Sequence, residues 1–260
     1  MYHSEWLDKG RIQAHLTDEA LRALPDIQIF NELDSTNRWA LQHGHCGSVC
    51  LAEQQTAGRG RRGRQWYSPA GVNIYLSVRW CFDQVLAHLP MLGLVTGVAV
   101  AEALQIYGIS GHGLKWPNDI YWQGKKLGGI LLEASGNLQQ VVIGIGLNVN
   151  VQPEINPLIE QPWSSLQIAH GKVIARNTLI GVILNQLVYR LQDFPYLNGS
   201  LFQQEWQPWD VLAQRSVRVL AGEEIFEGIA CGVDSQGQLR LSLMDGLIKT
   251  FSSADVSVRM

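Results

Sequence analysis

The stretch with the greatest chemical potential reads Gly58-Arg59-Gly60-Arg61-Arg62-Gly63-Arg64, four guanidinium groups in seven positions whose other residues are all glycine. Glycine has no Cβ and reaches positive φ easily, so its backbone N–H groups can turn toward a ligand and approach it closely. Arginine adds fixed charge and a fork of donors suited to carboxylate and phosphate oxygens. The chain as a whole carries a formal net charge of −3, so its cations are concentrated here rather than spread over a basic surface. Four like charges this close repel one another, which predicts a loop that is mobile when empty and orders around an anion. Competing readings are a solvated Arg/Gly tail or a nonspecific nucleic-acid patch, both usual in low-complexity surroundings. This stretch instead lies between two apolar runs, residues 48–52 and 74–78, that read as strands. A loop between strands of a packed domain favours a ligand cradle.

Four further segments have chemistry to offer. Ser35-Thr36-Asn37 supplies hydroxyls and an amide at a strand-to-helix turn; alone, such a trio is an N-cap. In Lys115-Trp116-Pro117-Asn118-Asp119 a point charge suited to phosphate precedes an amide and a carboxylate suited to hydrated magnesium or a ribose hydroxyl. Pro117 disfavours helix at Trp116, and a lone copy reads as a surface turn with a buried Trp. Lys125-Lys126-Leu127-Gly128-Gly129-Ile130 puts lysine ahead of a strand whose glycines permit close approach of a ligand or another backbone. Gly144-Ile145-Gly146-Leu147-Asn148-Val149-Asn150 ends an apolar strand in two amides, its glycines equally readable as structural. His43, His45, Cys46 and Cys50 are potential metal ligands, but Cys50 belongs to a strand and its spacing from Cys46 matches no common zinc pattern. A polar helix end and a core cysteine is the better reading.

The elements that must position these groups follow from composition and periodicity. With 260 residues and 46% hydrophobic content the chain can bury a sizeable core. A charged fraction of 17% and mild acidity argue against a generic nucleic-acid binder. Four cysteines without regular spacing, and no secretory signal, indicate a reducing, cytoplasmic setting. The apolar stretch 91–109 carries Thr96, Glu102 and Gln105, which suits a helix buried against a sheet better than a bilayer span. One helix is expected in the first thirty residues, over 17–24, capped by Thr17 or Asp18 and stopped by Pro25. A strand over 27–33 and a turn at 34–37 capping a helix to about His43 come next. Strands are expected over 73–80, 114–116, 119–122, 127–134 and 140–148, a pattern that indicates an α+β sheet rather than regular βαβ alternation. Residues 150–162 hold three prolines and read as a functional lid loop. Helical spacing returns over 177–191 and 201–206. From about Ser216 short alternating strands are punctuated by Ala221-Gly222, Asp234-Ser235-Gln236-Gly237 and Asp245-Gly246, which are hairpin signals. The chain thus divides into residues 1–213 and a small all-β domain, 214–260, that should dock on the larger one.

Taken in order, Ser-Thr-Asn, Gln55 with the Arg/Gly loop, Lys-Trp-Pro-Asn-Asp, Lys-Leu-Gly-Gly-Ile-Leu-Leu-Glu and Gly-Ile-Gly-Leu-Asn-Val closely resemble the biotin protein ligase family over residues 30–260. The resemblance implies a class II synthetase-like mixed sheet flanked by helices, with an SH3-like C-terminal β-barrel domain. It places Ser35, Thr36, Asn37, Gln55, Arg59, Gly60, Arg61 and Lys126 around biotin. It places Arg61, Arg64, Lys115, Asn118, Asp119, Asn148, Trp163 and Arg259 around ATP, with Asp119 as the magnesium ligand and Arg61, Lys115 and Lys126 as catalytic cations. The family's bacterial members often end in Gly-Glu-[Ile/Val]-Ser-[Leu/Val]-Arg. Here the end reads Ala254-Asp255-Val256-Ser257-Val258-Arg259, with a shorter acid at 255.

The chemistry so implied is adenylation of biotin by ATP, then transfer from biotinyl-5′-AMP to a lysine of a biotin carboxyl carrier protein. The N-terminal helix-turn-helix of bifunctional relatives is not seen, so no DNA partner is expected; no membrane partner is expected either, because 91–109 reads as a buried helix, and a homodimer is left open. Rival readings are a lipoate or octanoate ligase of the same fold, a regulator that senses biotinyl-AMP, and a noncatalytic binding module.

Overall fold

The computed structural model describes all residues except 1–4, 86–87, 136–138, 153–160, 253–255 and 260. Two short helices open the chain, α1 (Lys9–Gln13), capped by Asp8, and α2 (Asp18–Ala23), capped by Thr17. The first was not expected, because five residues including Gly10 carry no helical periodicity; Asp8 and packing on a later helix stabilise it. Then β1 (Asp26–Leu33), α3 (Thr36–Gln42) and β2 (Ser48–Gln55) form one parallel crossover, with Asp26 opposite Ser48 and Leu33 opposite Gln55. Every later pairing in the main sheet is antiparallel, through β3 (Ile74–Cys81), β4 (His112–Lys115), β5 (Asp119–Trp122), β6 (Lys125–Ser135) and β7 (Gln140–Leu147). The seven strands lie in the order β1-β2-β3-β7-β6-β5-β4.

Helices cover both faces. Leu131 of β6 sits opposite Gly144 of β7, and a Cβ at Gly144 would point straight at Asn37 of α3. The neighbouring Ile130 points the other way, toward Gly97 of α4 (Leu92–Ile106). By length and composition the helical stretch Leu89–Ile106, of which α4 is most, could cross a membrane, yet α4 is buried along most of its length between the sheet and α6 (Arg176–Asp193). Its acidic residue is answered there, since Arg190 of α6 pairs with both Glu102 and Glu205. Between them α5 (Leu166–His170) follows the undescribed part of the expected lid, and α7 (Gly199–Trp206) leads to the C-terminal strands. These are β8 (Ser216–Ala221), β9 (Glu224–Val233), β10 (Leu239–Leu243), β11 (Ile248–Phe251) and β12 (Val256–Arg259), an antiparallel SH3-like sheet ordered β11-β10-β9-β8-β12. It docks on the larger domain through hydrogen bonds from Trp116 Nε1 to the Gly237 carbonyl (3.0 Å) and from Gln203 Nε2 to the Val233 carbonyl (2.7 Å).

The cysteines need a correction. Cys46 and Cys81 form a disulfide with their Cα atoms 5.5 Å apart. Extending the register that sets Val49 opposite Val78 brings position 46 opposite position 81, so sheet pairing, not local spacing, joins them. The expectation of reduced thiols throughout therefore does not hold for this pair. Cys50 is buried in β2, and among the described residues no group of three or more His, Cys, Asp or Glu side chains is placed to hold a metal ion.

Candidate active site

The polar turn between β1 and α3 is tied down residue by residue. Ser35 caps α3, its hydroxyl accepting from the Arg38 amide. The Thr36 amide donates to Gln55 Oε1 at 2.9 Å, and Gln55 Nε2 donates in turn to Ser68 Oγ at 2.9 Å. Asn37 Nδ2 donates to Glu133 Oε2 at 2.9 Å, while its Oδ1, which has no proton to give, accepts from Ser77 Oγ at 2.5 Å. All three turn residues are buried, so this polarity is affordable only because each group is partnered. Two glycines of β7 make the approach possible. A Cβ at Gly144 would lie 2.1 Å from Asn37 Oδ1, and one at Gly146 would lie 2.8 Å from the Trp66 ring.

The Arg/Gly loop has a defined shape. Gly60 N bonds the Arg64 carbonyl at 2.7 Å, Trp66 N bonds the Gly58 carbonyl at 2.9 Å, and Arg62 occupies the left-handed region at φ 57°. Gly58 has no room for a side chain, since a Cβ there would meet the Trp66 carbonyl at 2.4 Å. Repulsion among the arginines is offset by acceptors on the sheet: Arg59 pairs with Glu133 at 2.8 Å and Arg61 Nη1 donates to Asn118 Oδ1 at 3.1 Å.

Facing the loop are the lysines. Lys126 pairs with Asp119 at 2.6 Å and lies 5.4 Å from the Trp66 ring centre. Lys115 is 7% exposed, with Nζ 5.0 Å from the Tyr121 ring centre. Burial lowers the Lys115 ammonium below the ordinary lysine range, opposed by Asp119 and reinforced by Arg259 and Lys126. Burial, helped by Asp119, pushes the Tyr121 phenol up to about 12. The Lys126 backbone forms a parallel bridge with Trp163, and Asn148 Nδ2 donates to the Ser164 carbonyl at 3.2 Å.

One cavity of about 880 Å³ gathers these groups, and its walls contain all the residues singled out above: Ser35, Thr36, Asn37, Gln55, Arg59, Gly60, Arg61, Arg64, Lys115, Asn118, Asp119, Lys126, Asn148, Trp163 and Arg259. Asp255 and most of the 150–162 loop lie outside the described residues. Residues that spacing alone did not mark are Trp66, Ser68, Ser77 and Glu133. Trp66 Nε1 is buried with no acceptor among the described residues, a donor aimed at the cavity wall beside Gly146. Glu133 closes the Lys-Leu-Gly-Gly-Ile-Leu-Leu-Glu run quoted above, so a signal for it existed without a role. Chemically the cavity offers a polar, glycine-backed slot at one end. At the other are cations able to neutralise a carboxylate and phosphates brought together.

A fold with one parallel crossover, antiparallel strands and a cation-lined cavity under a Gly/Arg loop is that of a carboxylate-activating ligase domain. Residues 29–148 match the biotin/lipoate A/B protein ligase family, and residues 215–259 match the biotin protein ligase C terminal domain. The bifunctional ligase/repressor BirA of Escherichia coli (strain K12) is 38% identical over 90% of this chain and 74% of its own length. The biotin--[acetyl-CoA-carboxylase] ligase of Mycobacterium tuberculosis is 32% identical over 96% of this chain and 98% of its own. Among solved structures, the biotin protein ligase from Aquifex aeolicus in complex with biotin and ATP superposes with a TM-score of 0.78 at 32% identity, covering 90% of this chain and 98% of that one. The chain belongs to the biotin protein ligase family.

Proposed function

We propose that this protein is an ATP-dependent biotin--[acetyl-CoA-carboxylase] ligase, which activates biotin as biotinyl-5′-AMP and transfers it to a specific lysine of a biotin carboxyl carrier protein. The observation that carries the reading is the single cavity in which a buried polar turn, Ser35 to Asn37, faces Arg59, Arg61, Lys115 and Lys126. Residues 1–213 form the biotin and ATP site in this reading, and 214–260 the domain that brings Arg259 to it.

In the first step a biotin carboxylate oxygen bonds to the α-phosphorus of ATP, the α–β bridging bond breaks, and pyrophosphate leaves. No protein nucleophile is needed; the barrier lies in bringing anions together. Arg61, Lys115 and Lys126 supply the neutralising charge and the turn and loop hold the reactants in line. Ser35, Thr36, Asn37 and Gln55 hold the biotin ring, with Arg59, Gly60 and Lys126 at its carboxylate. Arg64, Asn118, Asn148, Trp163 and Arg259 contact the nucleotide. Magnesium fits a site with one carboxylate and substrate phosphates; Asp119, with Asn118 beside it, would hold it, and it would neutralise phosphate charge.

In the second step a carrier lysine amine attacks the anhydride carbonyl, the carbonyl–oxygen bond to AMP breaks, and the amine gives up its proton. Asp119, ion-paired with Lys126 at 2.6 Å, is one candidate proton acceptor, and solvent serves equally. The Arg/Gly loop over the cavity shields the anhydride from water between the steps. The need for ATP suits a cytoplasmic setting, which rests on that substrate and not on the cysteines, since Cys46 and Cys81 are paired.

The experiment is biotin-dependent exchange of labelled pyrophosphate into ATP by the purified chain with magnesium, with lipoate in a parallel tube. Exchange with biotin alone is expected. Exchange with lipoate alone would reassign the substrate, and none with either would leave a binding module.

A further inference from the structure

Glu133 belongs to none of the groups assigned to biotin or ATP above, yet it touches both halves of the biotin site. It sits on β6 and projects to the α3 side of the sheet. Its Oε2 accepts from Asn37 Nδ2 at 2.9 Å, and its Oε1 pairs with Arg59 Nη2 at 2.8 Å. Asn37 lies in the first turn of α3, just past the β1–α3 turn, and Arg59 in the Arg/Gly loop 22 positions further along. Among the described contacts, this one carboxylate is the direct side-chain link between them.

We propose that Glu133 is a positioning residue that couples the turn holding the biotin ring to the loop arginine at its carboxylate, so that occupation of one is felt at the other. The inference rests on the reading of Asn37 and Arg59 as biotin-binding residues.

The chemistry demands a carboxylate. Both partners are donors, an amide N–H and a guanidinium N–H, so both oxygens at position 133 must accept. Glutamine offers one acceptor oxygen and turns an NH2 toward the other donor, so it satisfies one partner at most. The remaining interactions cannot stand in. Among the described residues Asn37 Nδ2 has besides this the Leu131 carbonyl alone, at 3.4 Å, a long contact. Asn37 Oδ1 is held from the opposite side by Ser77. The Asn37 amide is therefore clamped between Ser77 and Glu133, and withdrawal of Glu133 frees its donor end. Arg59 loses its charge partner at the same moment and is free to swing toward solvent. A ligand that draws Arg59 onto its carboxylate changes the charge next to Glu133, and through Oε2 the set of the Asn37 amide. A side chain with two acceptors and two separate clients transmits in this way; one bound to a single client does not.

A double-mutant cycle tests the coupling. Biotin affinity is measured by titration calorimetry for wild type, Asn37→Ala, Arg59→Ala and the pair, then for the same set carrying Glu133→Gln. Expected in the wild-type background is a pair whose loss of affinity departs from the product of the single losses by about threefold or more. In the Glu133→Gln background the losses should multiply, to within about twofold. A merely structural role for Glu133 would lower affinity throughout and leave the departure in place, which would overturn the proposal. So would losses that simply multiply in the wild-type background, a result that needs no folded Glu133 variant. Failure of the wild-type chain to bind biotin at all is a different outcome: it removes the ligand reading itself, and the coupling with it.

Discussion

Gly144 offers the sharpest test of the site geometry, because it is the smallest change with a calculable consequence. In Gly144→Ala the new Cβ would lie 2.1 Å from Asn37 Oδ1 and 2.8 Å from its Cγ, where about 3.4 Å is an ordinary contact. The Asn37 amide must therefore retreat by about 1.3 Å, since the strand carrying residue 144 is held between β3 and β6. A retreat of that size breaks the 2.5 Å bond from Ser77 and the 2.9 Å bond to Glu133. Two buried hydrogen bonds at about 0.5 to 1.5 kcal/mol each make a loss of about 1 to 3 kcal/mol in stability, and the displaced Asn37 amide no longer presents itself to biotin as in wild type, so biotin affinity falls by about fivefold or more. Backbone strain does not contribute, because Gly144 is not among the glycines at positive φ. Calorimetric titration with biotin reads the loss, and thermal unfolding of the same samples checks that the fold persists. Gly144→Ala placed on top of Asn37→Ala should cost little more, because the side chain it displaces is gone. Biotin affinity within about twofold of wild type for Gly144→Ala alone would refute the reasoning.

Lys115 should shape the alkaline side of the activity profile. Its lowered value means that the ammonium is lost below the ordinary 10.5, and phosphate binding weakens as pH rises through that lowered value; Lys115→Arg, which keeps its charge, should lose this limb in pyrophosphate exchange. The sign for stability is opposite: the folded chain gives up the proton first, so this group's contribution to stability rises between the lowered value and 10.5. Arg61→Gly should release biotinyl-5′-AMP faster and biotinylate bystander lysines, and an unchanged adenylate off-rate would count against a shielding loop. Arg176 and Glu53 form a buried ion pair at 2.7 Å, with Arg176 also bonded to the Asn73 and Glu5 carbonyls. Arg176→Met should cost about 3 to 5 kcal/mol and lower Tm by about ten degrees, with much of it regained in the Arg176→Met/Glu53→Gln double variant.

Local chemistry was legible wherever a short stretch of chain decides its own conformation. Thr17 capping α2, Ser35 capping α3 and the turns between the C-terminal strands depend on side chains reaching backbone groups two or three residues away. The same holds for α4, whose nearly continuous apolar run can only be buried, and for α6, whose apolar spacing matches the face that packs inside. The order of Ser35 to Asn37, the Arg/Gly loop and the two lysine motifs was also written in the chain, because each is a contiguous peptide. What the sequence left open is what depends on residues distant along it. Whether Gly144 and Gly146 were structural or functional turned on Asn37 and Trp66 lying against them. Glu133 had no readable role until β6 and β7 set it between a turn near residue 37 and a loop near residue 59. The parallel pairing of β1 with β2, and the meeting of Cys46 with Cys81, came from sheet register, which no spacing along the chain encodes. Hydrogen bonds within a turn are fixed by covalent neighbours, whereas contacts across a sheet exist only once the strands have been brought into line.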